Sequence, residues 1–148
     1  MSFNGNFMCT SFKTELLKGV HNFTAASNIF KLALYTDAGV AFNASTASYR
    51  ATNEASGTNY TAGGNPITTI TPTATGTTAF VDANDVVFTN VTISGIRGAV
   101  FYNNAPVSGG GTPSVAVLDF GSDKAASAGD FTVVMPTADA SNAIIRIA

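Results

Sequence analysis

A single imidazole, His21, and a single thiol, Cys9, are the only side chains of their kind in this 148-residue chain, and each is a first suspect for chemistry. An imidazole can act as a general base near neutral pH, and a thiol becomes a nucleophile when a base or a positive environment favours the thiolate. Neither has the company that such work needs. His21 lies between Val20 and Asn22, with Thr24 close by and no Ser, Cys or carboxylate at a recognisable nucleophile spacing. It reads as a histidine at a helix end, favoured there by the helix dipole. Cys9, between Met8 and Thr10, reads as a small buried hydrophobe. Without a second cysteine it forms no intrachain disulfide, which fits folding in a reducing cytosol.

The carboxylates form two loose groups. Asp82 and Asp85 flank Asn84, and Asp119 and Asp123 bracket Gly121-Ser122. Oxygen-rich loops can hold calcium, but neither group has the EF-hand spacing, and Asp and Asn are turn formers in their own right. A hydrolase using Asp82, Asp85 or Asp119 as acid and base would need a deep site with aromatic walls, and the chain has no Trp to serve as a sugar platform. Gly109-Gly110-Gly111 lacks the Gly-Lys-Ser/Thr of a phosphate loop and reads as a hairpin connection. Asn-X-Ser/Thr triplets at Asn22, Asn43, Asn59 and Asn90 read as chance in an Asn- and Thr-rich chain. No residue is assigned a catalytic, cofactor-binding or metal-binding role. The expectation is a protein that is not an enzyme and carries no cofactor.

Composition points the same way. Charged residues make up 11% of the chain, with a net charge of −2, so the basic face that nucleic-acid binding requires is not expected. A hydrophobic fraction of 45% is enough for an ordered core in one domain. No apolar run approaches the roughly 20 residues of a membrane-spanning helix. The opening residues lack the early positive charge and apolar stretch of a secretory signal.

The elements that must position these groups are mostly strands. Ser11 to Asn22 is the one expected helix, capped by Thr10 or Ser11, with Phe12, Leu16, Leu17 and Val20 on one face. Strands are expected at 29–35, more weakly at 47–52, then at 67–73, 77–82, 85–88, 91–93, 98–103, 114–120, 131–135 and 143–147. Turn signals separate them at Gly76, 82–85, Gly95, 103–113 and 121–129. Such a succession predicts a mainly β fold: an antiparallel, jelly-roll-like β-sandwich with one short N-terminal helix, spanning 11–148. Residues 1–10 form an N-terminal arm. Phe3, Phe7, Met8 and Phe12 are apolar in or beside that arm and are the expected partner-binding residues, with docking on the chain's own sandwich as the alternative. If they bind a partner, deleting Met1 to Met8 spares the fold and weakens attachment.

The opening Phe3-Asn4-Gly5-Asn6-Phe7, the segment Ser11 to Gly19 and the loop Tyr60-Thr61-Ala62-Gly63-Gly64 carry a resemblance. Arg97 to Tyr102, Val115 to Gly121 and the closing Phe131 to Pro136 extend it over nearly the whole chain. In these segments the chain resembles small virion structural proteins of tailed bacteriophages. The resemblance implies a protein assembled in the host cytoplasm and resident in the virion. It would form a small homo-oligomer bound to the major capsid protein or another virion protein, as a capsid decoration or cement protein. The alternative is a tail- or fibre-associated module that reads a host surface glycan through Tyr, Asn and Thr of the 53–65 loop.

Overall fold

The run Phe30-Lys31-Leu32-Ala33-Leu34-Tyr35-Thr36 has little polar alternation, as expected of a strand covered on both faces. In the computed structural model, which describes residues 1–24, 28–68 and 71–148, it is an interior strand of the larger of two antiparallel sheets. The elements are β1 (Phe7–Met8), α1 (Thr10–Leu17), β2 (Phe30–Thr36), β3 (Asn65–Pro66), β4 (Thr73–Thr75), β5 (Thr78–Val81), β6 (Val86–Asn103), β7 (Ser114–Val133) and β8 (Ile145–Ile147). The large sheet runs β1-β7-β6-β2-β3 and the small one β4-β5-β8, giving a sandwich-like arrangement of two sheets rather than a closed barrel.

The β6–β7 hairpin dominates. What reads in the sequence as five separate strands broken by turns is two long strands of 18 and 20 residues. Apart from the 103–113 connection, the apparent breaks are irregularities of the β-bulge kind: the register shifts four times between Phe88 and Gly98. Residues with positive φ lie at these shifts, namely Asn90 and Gly95 on β6 and Gly121 and Ala128 on β7. A left-handed residue can close a turn or absorb an extra residue in a ladder, and bulging adds bend and twist. The result is a ribbon that folds over on itself. Phe120 and Phe131 lie in the same strand, where a straight path would separate them by about 36 Å, yet their ring centroids are 6.1 Å apart.

Pleating divides the large sheet into two faces. Cross-strand pairing sets Phe30, Leu32 and Leu34 beside Asn103, Phe101 and Ala99 on one face. Against this face pack Phe12 of α1, His21 and Phe23, with Phe23 stacked on Phe30 at 4.6 Å. Val81 of β5 and Ile145 of β8 join the same core. The other face carries Lys31, Ala33 and Tyr35 beside Tyr102, Val100 and Gly98. The arm and the 37–64 segment cover it: Phe42 packs on Tyr35, and Tyr49 stacks on Tyr102.

The helix is shorter than its hydrophobic pattern predicts. It ends at Leu17, because Gly19 adopts φ +70° and the Val20 N–H returns to the Glu15 carbonyl, a glycine-terminated stop. Cys9 occupies the N-cap position without a side-chain cap bond, so neither Thr10 nor Ser11 caps it. The 47–52 segment is not a strand. It docks on the hairpin base through a Ser48–Pro113 bridge and a Ser114 N–H donating to the Ala47 carbonyl. Of the strand expected at 67–73, Thr69 and Ile70 lie outside the described residues, and β4 begins at Thr73.

Candidate functional site

His21 is a buried tether. Its Nε2 lies 2.9 Å from Glu15 Oε2, and its Nδ1 faces Asn103 Nδ2 at 3.2 Å. The Asn103 amide is oriented by its other bonds: Oδ1 accepts from the Ala105 N–H and Nδ2 donates to Asn28 Oδ1. Nδ1 must therefore accept, and Nε2–H donates to Glu15. Both ring nitrogens are committed to binding α1 to the end of β6, which leaves no position for a nucleophile. The dipole reading of His21 is corrected here: the helix ends four residues earlier, and a carboxylate on its own last turn holds the ring. Cys9 is fully buried, and burial together with the nearby Glu15 charge pushes its thiol up to about 11. It stays protonated and unreactive at neutral pH.

The carboxylates do not converge. Asp82 is buried at the end of β5, takes the Ala83 N–H, and is held above the usual carboxylate range by desolvation. Asp85 accepts the Met135 N–H. Asp119 and Asp123 both face Arg97, at 3.4 and 3.5 Å. Among the described residues no three of His, Cys, Asp and Glu form a group able to hold a metal. No helix there is long and apolar enough to cross a membrane.

The densest polar constellation is one that local spacing does not reveal. All four tyrosines of the chain gather around Glu54 and the Arg50 backbone. Glu54 Oε2 accepts from Tyr49 OH at 2.7 Å, while Oε1 accepts from Tyr60 OH at 2.9 Å and from the Gly63 N–H at 2.6 Å. Tyr102 OH donates to the Gly63 carbonyl and Tyr35 OH to the Arg50 carbonyl. The Leu34 N–H donates to Tyr60 OH, and those of Thr36 and Ala55 bond the Asn53 and Leu34 carbonyls. The constellation thus closes the outer edge of β2 as a strand would, and its hydroxyls are spent on the fold.

This cluster makes the fold sensitive to alkali. Burial, then the Glu54 charge, pushes Tyr102 up to about 12, and Tyr35, Tyr49 and Tyr60 stand higher still, with burial the largest cause in each. An unfolded tyrosine ionises near about pH 10. Below that value both states are protonated and the contribution to stability is complete. Above it the unfolded state loses protons first, so stability falls progressively through about pH 12. Tyrosinate absorbance is expected to stay flat while the protein is folded and to rise from all four rings together with the alkaline unfolding transition. Stepwise ionisation in the folded state would contradict this.

Phe3, Phe7, Met8 and Phe12 separate into two pairs. Phe3 and Phe12 are fully buried within their own chain, so the expectation that they meet a partner is corrected. Phe3 stacks on Phe42 at 4.5 Å and fills a hollow above Gly98, where a Cβ would come within 2.5 Å of its ring. Phe7 and Met8 are half-buried and pair with Val117 and Ala116 as β1.

A groove of about 590 Å³ lies beside β7, lined by Leu118, Phe120, Val133, Val134, Met135 and Ile144 together with the polar Asn6, Asp119, Asn142 and Arg146. Val134 is 74% exposed there, a large apolar side chain with little cover. Beyond Val117 no strand of the described residues pairs with the outer edge of β7. The edge is nevertheless guarded by side chains: Asn6 Oδ1 accepts the Asp119 N–H, and Asp119 Oδ1 accepts the Gly121 N–H. What the groove offers is side-chain contact. No protein-family model, no curated protein and no solved structure matches this chain.

Proposed function

We propose that this chain is a structural protein of a bacteriophage virion, a capsid decoration or cement protein that stabilises contacts between major capsid subunits. The resemblance read from its opening, central and closing segments motivates the reading. The observation that carries it is the distribution of work among the side chains. Three clusters of polar groups that could do chemistry are bonded into the fold, at Glu15–His21–Asn103, Glu54 with Tyr49 and Tyr60, and Arg97 with Asp119 and Asp123. The groove beside β7, where Val134 is exposed, remains open to a neighbour. A chain equipped in this way acts through contact area, and multiplicity on a symmetric shell compensates for a small contact per copy.

The glycan-reading alternative is weakened by the 53–65 loop. Asn53, Asn59 and Asn65 direct their amides to the carbonyls of Ala38, Asn90 and Val87, and Tyr60 is held by Glu54. The amide nitrogens of these asparagines and the Tyr60 hydroxyl are already engaged.

The test is reconstitution. Particles lacking the protein are expected to release their DNA at a lower temperature than complete ones, and added protein is expected to restore the difference. Val134→Asp places a charge in the groove at an exposed position, so it is expected to change the isolated protein's stability by no more than about 0.5 kcal/mol. The same variant is expected to restore little of the particle's heat resistance. Equal resistance with and without the protein would refute the cement role, and full rescue by the variant would move the contact to another face.

A further inference from the structure

We propose that Asn4 is a site of spontaneous covalent modification, in which the backbone nitrogen of Gly5 closes onto the Asn4 side chain. This goes beyond the virion reading and does not depend on it. Asn4-Gly5 is the single Asn-Gly pair of the chain. The Gly5 nitrogen gives up its proton to solvent base and attacks Asn4 Cγ. A new N–Cγ bond forms, the Cγ–Nδ2 bond breaks, and Nδ2 leaves as ammonia after taking a proton from water, giving a five-membered imide. Water then opens the ring at one carbonyl to give aspartate, or at the other to give isoaspartate, whose main chain runs through Cγ. No oxidant or reductant takes part.

The glycine that follows it, with an uncrowded backbone, sets this asparagine apart. Asn4 is exposed, and among the described residues neither its side chain nor the Gly5 N–H has a hydrogen-bond partner. Gly5 has φ +142°, and a Cβ built on it would meet only the Phe7 ring, at 3.6 Å, so the ring-closing backbone is uncrowded. Asn6, Asn43, Asn53, Asn59 and Asn103 instead have their amides bonded, and each precedes a residue with a side chain.

The reaction is coupled to the seating of the arm, because both sides of the pair are anchored. Phe3 is locked over Gly98 against Phe42, and Phe7 is in register with Val117. Isoaspartate adds one carbon to the main chain between these anchors, so one of them must yield. The full-length protein, incubated at mildly alkaline pH beside a synthetic peptide of residues 1–10, tests this by peptide mapping and isoaspartyl-methyltransferase labelling. Isoaspartate is expected at position 4 in both, with the label abolished by Asn4→Gln and the altered protein fraction, separated by anion exchange, melting at a lower temperature. Persistence of Asn4 in the protein after the peptide has converted, label remaining in Asn4→Gln, or an altered fraction with unchanged melting would each overturn the proposal.

Discussion

Phe3→Ala is expected to cost about 3–5 kcal/mol, a large share of the roughly 5–15 kcal/mol that holds a domain of this kind together. Its ring is wholly buried, stacked on Phe42, and seated in a hollow that exists because position 98 has no side chain. The surroundings cannot close over the gap easily. Phe42 is held from its other side by Tyr35 at 4.6 Å and by the Arg50 guanidinium 3.9 Å above its ring. Arg50 is itself pinned by the Ala41 carbonyl at 2.6 Å. Backbone bonds reinforce the seat: the Phe42 N–H donates to the Ser2 carbonyl, and the Gly39 N–H to Ser2 Oγ. The Ser2 N–H donates to Asp37 Oδ1. Deleting Met1 to Met8 removes all of this together with β1, and is expected to abolish soluble folded protein. Urea denaturation of Phe3→Ala measures the effect, and an unchanged midpoint would show that the arm is only laid on the surface.

Glu54→Ala is expected to cost about 3–4 kcal/mol, at the low end of the roughly 1–3 kcal/mol lost for each polar group deprived of its partner, because Tyr49, Glu54 and Tyr60 are only half-buried. Three donors lose their acceptor at once: Tyr49 OH, Tyr60 OH and the Gly63 N–H. The outer edge of β2 then loses part of its cover, since Tyr60 OH also receives the Leu34 N–H. Glu54→Gln keeps an acceptor and most of the shape, so it separates charge from packing. It is expected to cost less and to bring the ionisation of Tyr49 and Tyr60 to lower pH, because the Glu54 charge helps to hold both phenols protonated. Burial still keeps them above the ordinary range, as the largest cause in each. Thermal melts and ultraviolet titration of the two variants check this. A Gln variant titrating like the parent would remove Glu54 from the account.

These two effects also mark where the sequence was readable. β2, β5 and β8 fall within a residue or two of their expected spans, because alternation and flanking turn residues are local signals. The 103–113 connection is likewise where its glycines and prolines put it. The continuity of β6 and β7 was not readable. Asn90, Gly95 and Gly121 offer positive φ, and whether such a residue closes a turn or feeds a bulge depends on what lies across the ladder, tens of residues away. The arm was recognisable as apolar, but its destination was set by Gly98, a residue with no hydrophobic signature of its own. The Glu54 constellation was unreadable for the same reason. Tyr35, Tyr49, Tyr60 and Tyr102 share no spacing, and only the folded sheet brings them to one carboxylate and its neighbouring backbone. Conversely, the scarcity of His, Cys and charge was evident from composition, and the structure shows how the few such groups are employed.

On the proposed reading this chain occupies a repeated seat on a virion shell. Counting its copies in purified particles of a phage that carries it, by quantitative mass spectrometry against the major capsid protein, tests that most directly. A copy number on the same scale as the capsid subunit is expected. A handful of copies per particle, as at a tail or a portal, would contradict it.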